Sequence, residues 1–156
     1  MKRMKTFWLA CLITLSCLES FGQSGQQAAA EKLAREMHRV IQLNDASAWE
    51  KFVRENYSKA LINKPMRAQV EGTGPNDKPT ASSTPTDPAK AKAEMFRMLH
   101  ADFGNSEIVS LKTTGNKVEM VLRERAGLTG TFSLQITNAA PYLIDGLGVE
   151  VGEERN

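Results

Sequence analysis

Two histidines, His38 and His100, are the only imidazoles in the 156 residues. His100 follows Phe96 by one helical turn and can point inward from a helix. A pocket imidazole there could act as a general base. Its acid partners would be Asp145, Tyr57 or Asp102. Asp102 is no ready partner, because residues two apart on a helix do not face each other. A His100/Asp145 pair in a dry cavity would suit a small cofactor-free lyase or isomerase, which moves a proton at carbon. The competing readings are structural. His100 can be a hydrogen-bonding group or cation near a helix C-terminus. Asp145 stands in PYLIDGLGVEV, residues 141–151, where strand-like alternation changes phase at Asp145-Gly146. An extra residue at that point would restore the phase, with Gly146 as the bulge glycine, and put Ile144 and Leu147 on one inward face. The structural reading is favoured at both positions, and His38 reads as a boundary residue.

Other chemistries lack their residues. There is no Gly-x-Ser-x-Gly and no Ser-x-x-Lys, so the common serine-hydrolase signatures are missing. No His-Glu-x-x-His or close histidine cluster exists, so neither a metal nor a cofactor is expected. Gly146-x-Gly148 lies inside a strand pattern and does not read as a phosphate-cradling loop. Trp49, Tyr57, Phe96, His100 and Phe132 are the candidates for lining a ligand pocket. Such aromatics more often fill the space between helix and sheet.

The elements that must carry these residues are readable from period. Ala30, Leu33, Ala34, Met37, Val40 and Ile41 recur at spacings of three and four, which predicts a helix over 26–43. Ser47-Ala48-Trp49-Glu50 has the capping-box pattern and opens a second helix. That helix bears Trp49, Phe52, Val53 and Tyr57 on one stripe, and it should form a hairpin with the first. Residues 66–71 alternate weakly and are a candidate short strand. Residues 72–88 are rich in Gly, Pro, Ser and Thr and read as a flexible loop. Asp87-Pro88 then caps a third helix that stops at Gly104. From Ser106 the period is two. Thr114-Gly115-Asn116 and Ala126-Gly127 mark turns, and four strands follow one another as an antiparallel meander. Helices first and strands after predict one α+β domain, with helices packed on a curved, cone-like antiparallel sheet.

The first 22 residues read as a signal peptide: Lys2, Arg3 and Lys5, then an apolar run, then Ser20-Phe21-Gly22. Cleavage is expected after Gly22, giving a secreted or periplasmic domain over 23–156. Lipoprotein processing at Cys17 is disfavoured, because Thr14 stands where leucine is wanted. The segment would take three basic residues and Glu19 from the 20 basic and 18 acidic, leaving 17 of each. The excess of basic charge thus belongs to the signal, and no nucleic-acid partner is expected. Cys11 and Cys17, the chain's two cysteines, leave as well. The remaining domain must be held by its core and has no membrane segment of its own.

This order of elements resembles the nuclear transport factor 2-like superfamily, a cone-shaped α+β fold. The resemblance spans about residues 31–151. Its specific part is MFRMLHADFG at 95–104, the turn at 114–116 and PYLIDGL at 141–147. Over that part the chain is similar to a small module that precedes beta-lactamase-type serine hydrolases of secreted bacterial proteins. No hydrolase domain follows in this sequence, so hydrolysis is not carried over. The resemblance implies a non-catalytic binding or accessory domain for an unknown small ligand or protein. A homodimer through the sheet is one arrangement such a fold admits. Two alternatives stand beside it: the lyase or isomerase described above, and a trans-acting partner of a separately encoded secreted hydrolase.

Overall fold

The computed structural model describes residues 7–65 and 87–153, with side chains over 24–65 and 87–152. The candidate strand at 66–71 and nearly all of the 72–88 loop lie outside the described residues. Four helices precede four strands: α1 Phe7–Gln42, α2 Ala46–Asn56, α3 Lys59–Asn63, α4 Pro88–Phe103, β1 Glu107–Thr114, β2 Lys117–Arg123, β3 Leu128–Ile136 and β4 Ile144–Glu153. The α+β class read from the sequence is the one observed.

Helix α1 starts far upstream of residue 26. The apolar run that reads as a signal is itself helix-forming, and Gly22 and Gly25 weaken a helix without ending it. Helix α2 is capped by Asp45 rather than Ser47. The Asp45 carboxylate accepts from the amides of Ser47 at 2.8 Å and Ala48 at 3.2 Å. A carboxylate at a helix N-terminus satisfies two free donors and meets the positive end of the helix dipole. Glu50, freed from a capping box, accepts from Arg54 instead. Helix α4 begins as the sequence indicates, with Asp87 as N-cap and Pro88 in the first turn. It also ends at Gly104, but with φ −61°, so left-handed geometry is not the reason for glycine. A Cβ there would lie 2.5 Å from the His100 carbonyl oxygen and 2.8 Å from its Nδ1.

The strands form one antiparallel sheet in sequence order, β1-β2-β3-β4. Gly115, at φ +58°, makes the β1–β2 hairpin turn that an L side chain would resist. Both edge strands are bulged. In β4 the register shifts between Gln135 and Ile136: Gln135 pairs with Gly146 and Ile136 with Ile144, leaving Asp145 as the extra residue. In β1 the shift falls between Ile108 and Ser110, so Val109 is extra. Each bulge keeps apolar residues on the helix side: Ile144 with Leu147 and Val149, and Ile108 with Leu111. Bulges bend a strand and blunt an edge against pairing with another chain.

The core lies between this face and the helices. Phe96, Phe103, Phe132, Met37, Met120 and Ile144 are all fully buried. Phe103 stands edge-on to Phe132, with ring centroids 5.4 Å apart. It fits because residue 130 is glycine: a Cβ there would lie 2.4 Å from the Phe103 ring.

Candidate functional site

His100 lies on the last turn of α4, half-buried. Its Nδ1 is 2.9 Å from the carbonyl oxygen of Ile41. A carbonyl only accepts, so Nδ1 carries the proton and donates. Ile41 is in the last turn of α1, where carbonyls have no partner within their own helix. The indole of Trp49 serves the same helix end, donating to Val40 O at 3.1 Å and Leu43 O at 2.9 Å. The two rings lie 6.1 Å apart. Two residues that could have lined a pocket are therefore joined in capping α1.

His38 is placed comparably. Its Nε2 meets the Ser106 carbonyl at 3.1 Å, which also accepts from Gln42 at 3.1 Å. Ser106 immediately precedes β1, so this contact ties α1 to the start of that strand. Burial holds the His38 imidazolium below the usual histidine range, and the bond to Ser106 only partly offsets it.

Asp145 faces solvent at the β4 bulge, and its carboxylate accepts from the hydroxyl of Ser58. The junction between α2 and α3 is clipped to β4 at this point. Ser58 N donates to Ile144 O at 2.8 Å, and Tyr57 forms a parallel bridge with Ile144. The Ser58 hydroxyl also accepts from Leu61 N at 3.0 Å, starting α3. The unpaired residue of the bulge thus supplies the acceptor that holds a helix junction. Gly146 has an ordinary φ. A Cβ on it would lie 3.2 Å from the Cβ of Gln135, so close cross-strand approach explains the glycine.

His100 and Asp145 have separate partners on separate elements, and no hydrogen bond joins them among the described residues. Asp102 is exposed on α4. Trp49, Tyr57, Phe96 and Phe132 are core side chains, each 5% exposed or less. Phe52 bridges two of them, edge-on to Phe96 at 5.6 Å and to Tyr57 at 6.1 Å. Two open clefts among the described residues lie away from these side chains. One of about 550 Å³ is lined by Gln42, Ser106, Glu107, Arg123, Glu124 and Arg125. Another of about 490 Å³ lies on the outer sheet face beside Gly146 and Gly148.

Among the described residues two buried side-chain oxygens have no hydrogen-bond partner, the Tyr57 hydroxyl and Thr129 Oγ1, and one lysine side chain, Lys92, is largely buried. The Tyr57 hydroxyl is sealed from solvent and has no hydrogen-bond partner among the described residues. Its burial pushes the phenol well above the usual tyrosine range, so it stays a neutral donor. Lys92 is 8% exposed on the inward side of α4, in the stripe of Ala89, Ala93, Phe96 and Leu99. Burial, with Lys64 nearby, holds its ammonium below the usual lysine range. The sequence carried a signal for Lys92, since it stands four residues before Phe96 in an apolar stripe.

Among the described residues no group of three or more His, Cys, Asp or Glu could hold a metal ion. Among them no helix is long and apolar enough to cross a membrane. No family model matches the chain, and neither does any curated protein or solved structure.

Proposed function

We propose that the chain is an exported, non-catalytic binding or accessory domain of the nuclear transport factor 2-like type. One observation carries this reading. The two groups best suited to acid–base chemistry are engaged in holding backbone, His100 on the end of α1 and Asp145 on the α2–α3 junction. A general base needs hydrogen-bond reach to a substrate proton and a partner to tune it. His100 instead donates from Nδ1 to a carbonyl, which leaves only Nε2 as a base, and among the described residues no acidic side chain bonds to the ring. The order of helices, bulged meander and filled interior agrees with the same reading.

The test is to purify the protein from its native host, extract any retained small molecule and return it to fresh protein in D₂O. NMR should show the molecule rebound and chemically unchanged, with no deuterium at carbon. Exchange or conversion that disappears in His100→Ala would establish the lyase or isomerase reading instead.

A further inference from the structure

We infer that Gln23, once the leader is removed, closes on itself to pyroglutamate, so that the exported domain carries no free α-amine. This rests on the export reading above, with cleavage after Gly22, and adds to it a covalent modification at one residue. The structure puts that new end on a helix. Helix α1 runs unbroken from Phe7 to Gln42, and residue 23 has helical backbone. The helix is tied to the sheet soon after this point. The Gln26 side-chain amide donates to the Thr137 carbonyl at 3.2 Å, and Ala30 is fully buried. Ahead of Gln26, Ser24 and Gly25 are exposed, and a Cβ on Gly25 would meet nothing within 4 Å. Cleavage after Gly22 thus leaves a short, solvent-exposed helical lead in front of an anchored helix.

Two properties of this end favour closure. The first is electrostatic. A new α-ammonium would stand at the positive end of the α1 dipole, where a cation is disfavoured. Residues 23–30 read QSGQQAAA, so about the first two turns hold no carboxylate to offset it. Glu31 is the first acidic residue after the cut. An unperturbed α-amine titrates at about 7.7–8.0, and the helix field lowers that value. Near neutral pH much of the amine is then neutral and nucleophilic. The second property is proximity. Amine and carboxamide belong to one residue, so the attack is intramolecular and needs no second reactant. The α-nitrogen bonds to Cδ of Gln23 and the bond from Cδ to the side-chain nitrogen breaks. That nitrogen leaves as ammonia, taking the proton the amine gives up. The product is a neutral five-membered lactam. Losing the terminal charge relieves the repulsion from the dipole. It also denies aminopeptidases the free amine they need, on a chain whose first residues are exposed. Gln26 and Gln27 cannot react in this way, because their nitrogens are already in peptide bonds.

The test is intact-mass measurement and tandem mass spectrometry, which reads a blocked end, on the protein from a periplasmic or culture fraction of its native host. Residue 23 should come first, in a chain lighter by one ammonia than the free-amine sequence 23–156. Pyroglutamyl aminopeptidase should remove residue 23 from the unfolded chain and open Ser24 to a general aminopeptidase, which alone should release nothing. Gln23→Ala, exported by the same host, should begin at residue 23 with a free amine and be digested directly. A wild-type chain that begins at Gln23 with its ammonia retained would overturn cyclisation and leave export standing. A heavier, acylated residue 23 would do the same. Equal closure in a synthetic 23–40 peptide carried through the same purification would overturn it as a product of handling. A chain found only with Met1, or processed at Cys17, would overturn the cleavage itself and with it the export reading as stated.

Discussion

At the scale of single residues, glycines and histidines carry the tightest constraints. Gly146→Val should lower stability by about 1–3 kcal/mol in chemical denaturation, because even the first added carbon meets the Gln135 Cβ at 3.2 Å. Gly130→Ala should cost at least as much, about 2–3 kcal/mol, since its Cβ would enter the fixed ring of Phe103 at 2.4 Å. The first of these positions was legible in the sequence through the phase break of 141–151. The second was not. Nothing local marks Gly130, because the ring that needs its space comes from α4. The direction of a histidine nitrogen is equally hidden from the sequence. His100 could be placed near a helix end, but the carbonyl of Ile41 is 59 residues away in the chain.

At the scale of elements, what matters is how helices are tied to the sheet. The Ser58–Asp145 bond joins the α2–α3 junction to the β4 bulge. A double-mutant cycle with Ser58→Ala and Asp145→Ala should give a coupling of about 0.5–2 kcal/mol. Additive losses would mean the two side chains act separately. The link between α1 and β1 depends on pH. His38 is held neutral by burial, so it protonates more readily in the unfolded chain than in the fold. Its contribution to stability is present above the ordinary histidine value of 6.5 and is lost as pH falls below it. The wild-type melting temperature should therefore drop between about pH 7 and 5, and His38→Gln should flatten that slope. Bulges at 109 and 145 show how far period alone reaches. Asp145 is found because Tyr142, Ile144, Leu147 and Val149 are long enough a run to expose a phase change. Val109 sits in a shorter, more mixed run, Ile108 to Leu111, where the same spacing of three passes unnoticed. Helix α3 is only five residues long and depends on Ser58, itself fixed by β4, so no local pattern announces it.

At the scale of the whole molecule, class and topology follow from one change of period. Helical spacing holds through Phe103 and a spacing of two begins at Ser106, with glycine turns short enough to force neighbouring strands together. The capping-box pattern points to Ser47 as the cap of α2, two residues past the actual cap Asp45, because both offer an acceptor and the charged one wins. Export remains a proposal drawn from residues 1–22. Sequencing the N-terminus of the protein from a periplasmic or culture fraction should read Gln23 first, and an intact Met1 in the cytoplasmic fraction alone would reject it. The central claim is that the best-placed acid–base residue, His100, serves the fold. The most direct measurement is thermal unfolding of wild type, His100→Ala and His100→Asn. Asparagine places an amide N–H near the position of Nδ1 but has no imidazole. The account predicts that alanine lowers the melting temperature by about 3–6 °C and that asparagine recovers most of the loss. Alanine that melts at or above the wild-type temperature would contradict it, because residues kept for catalysis at the expense of stability behave that way.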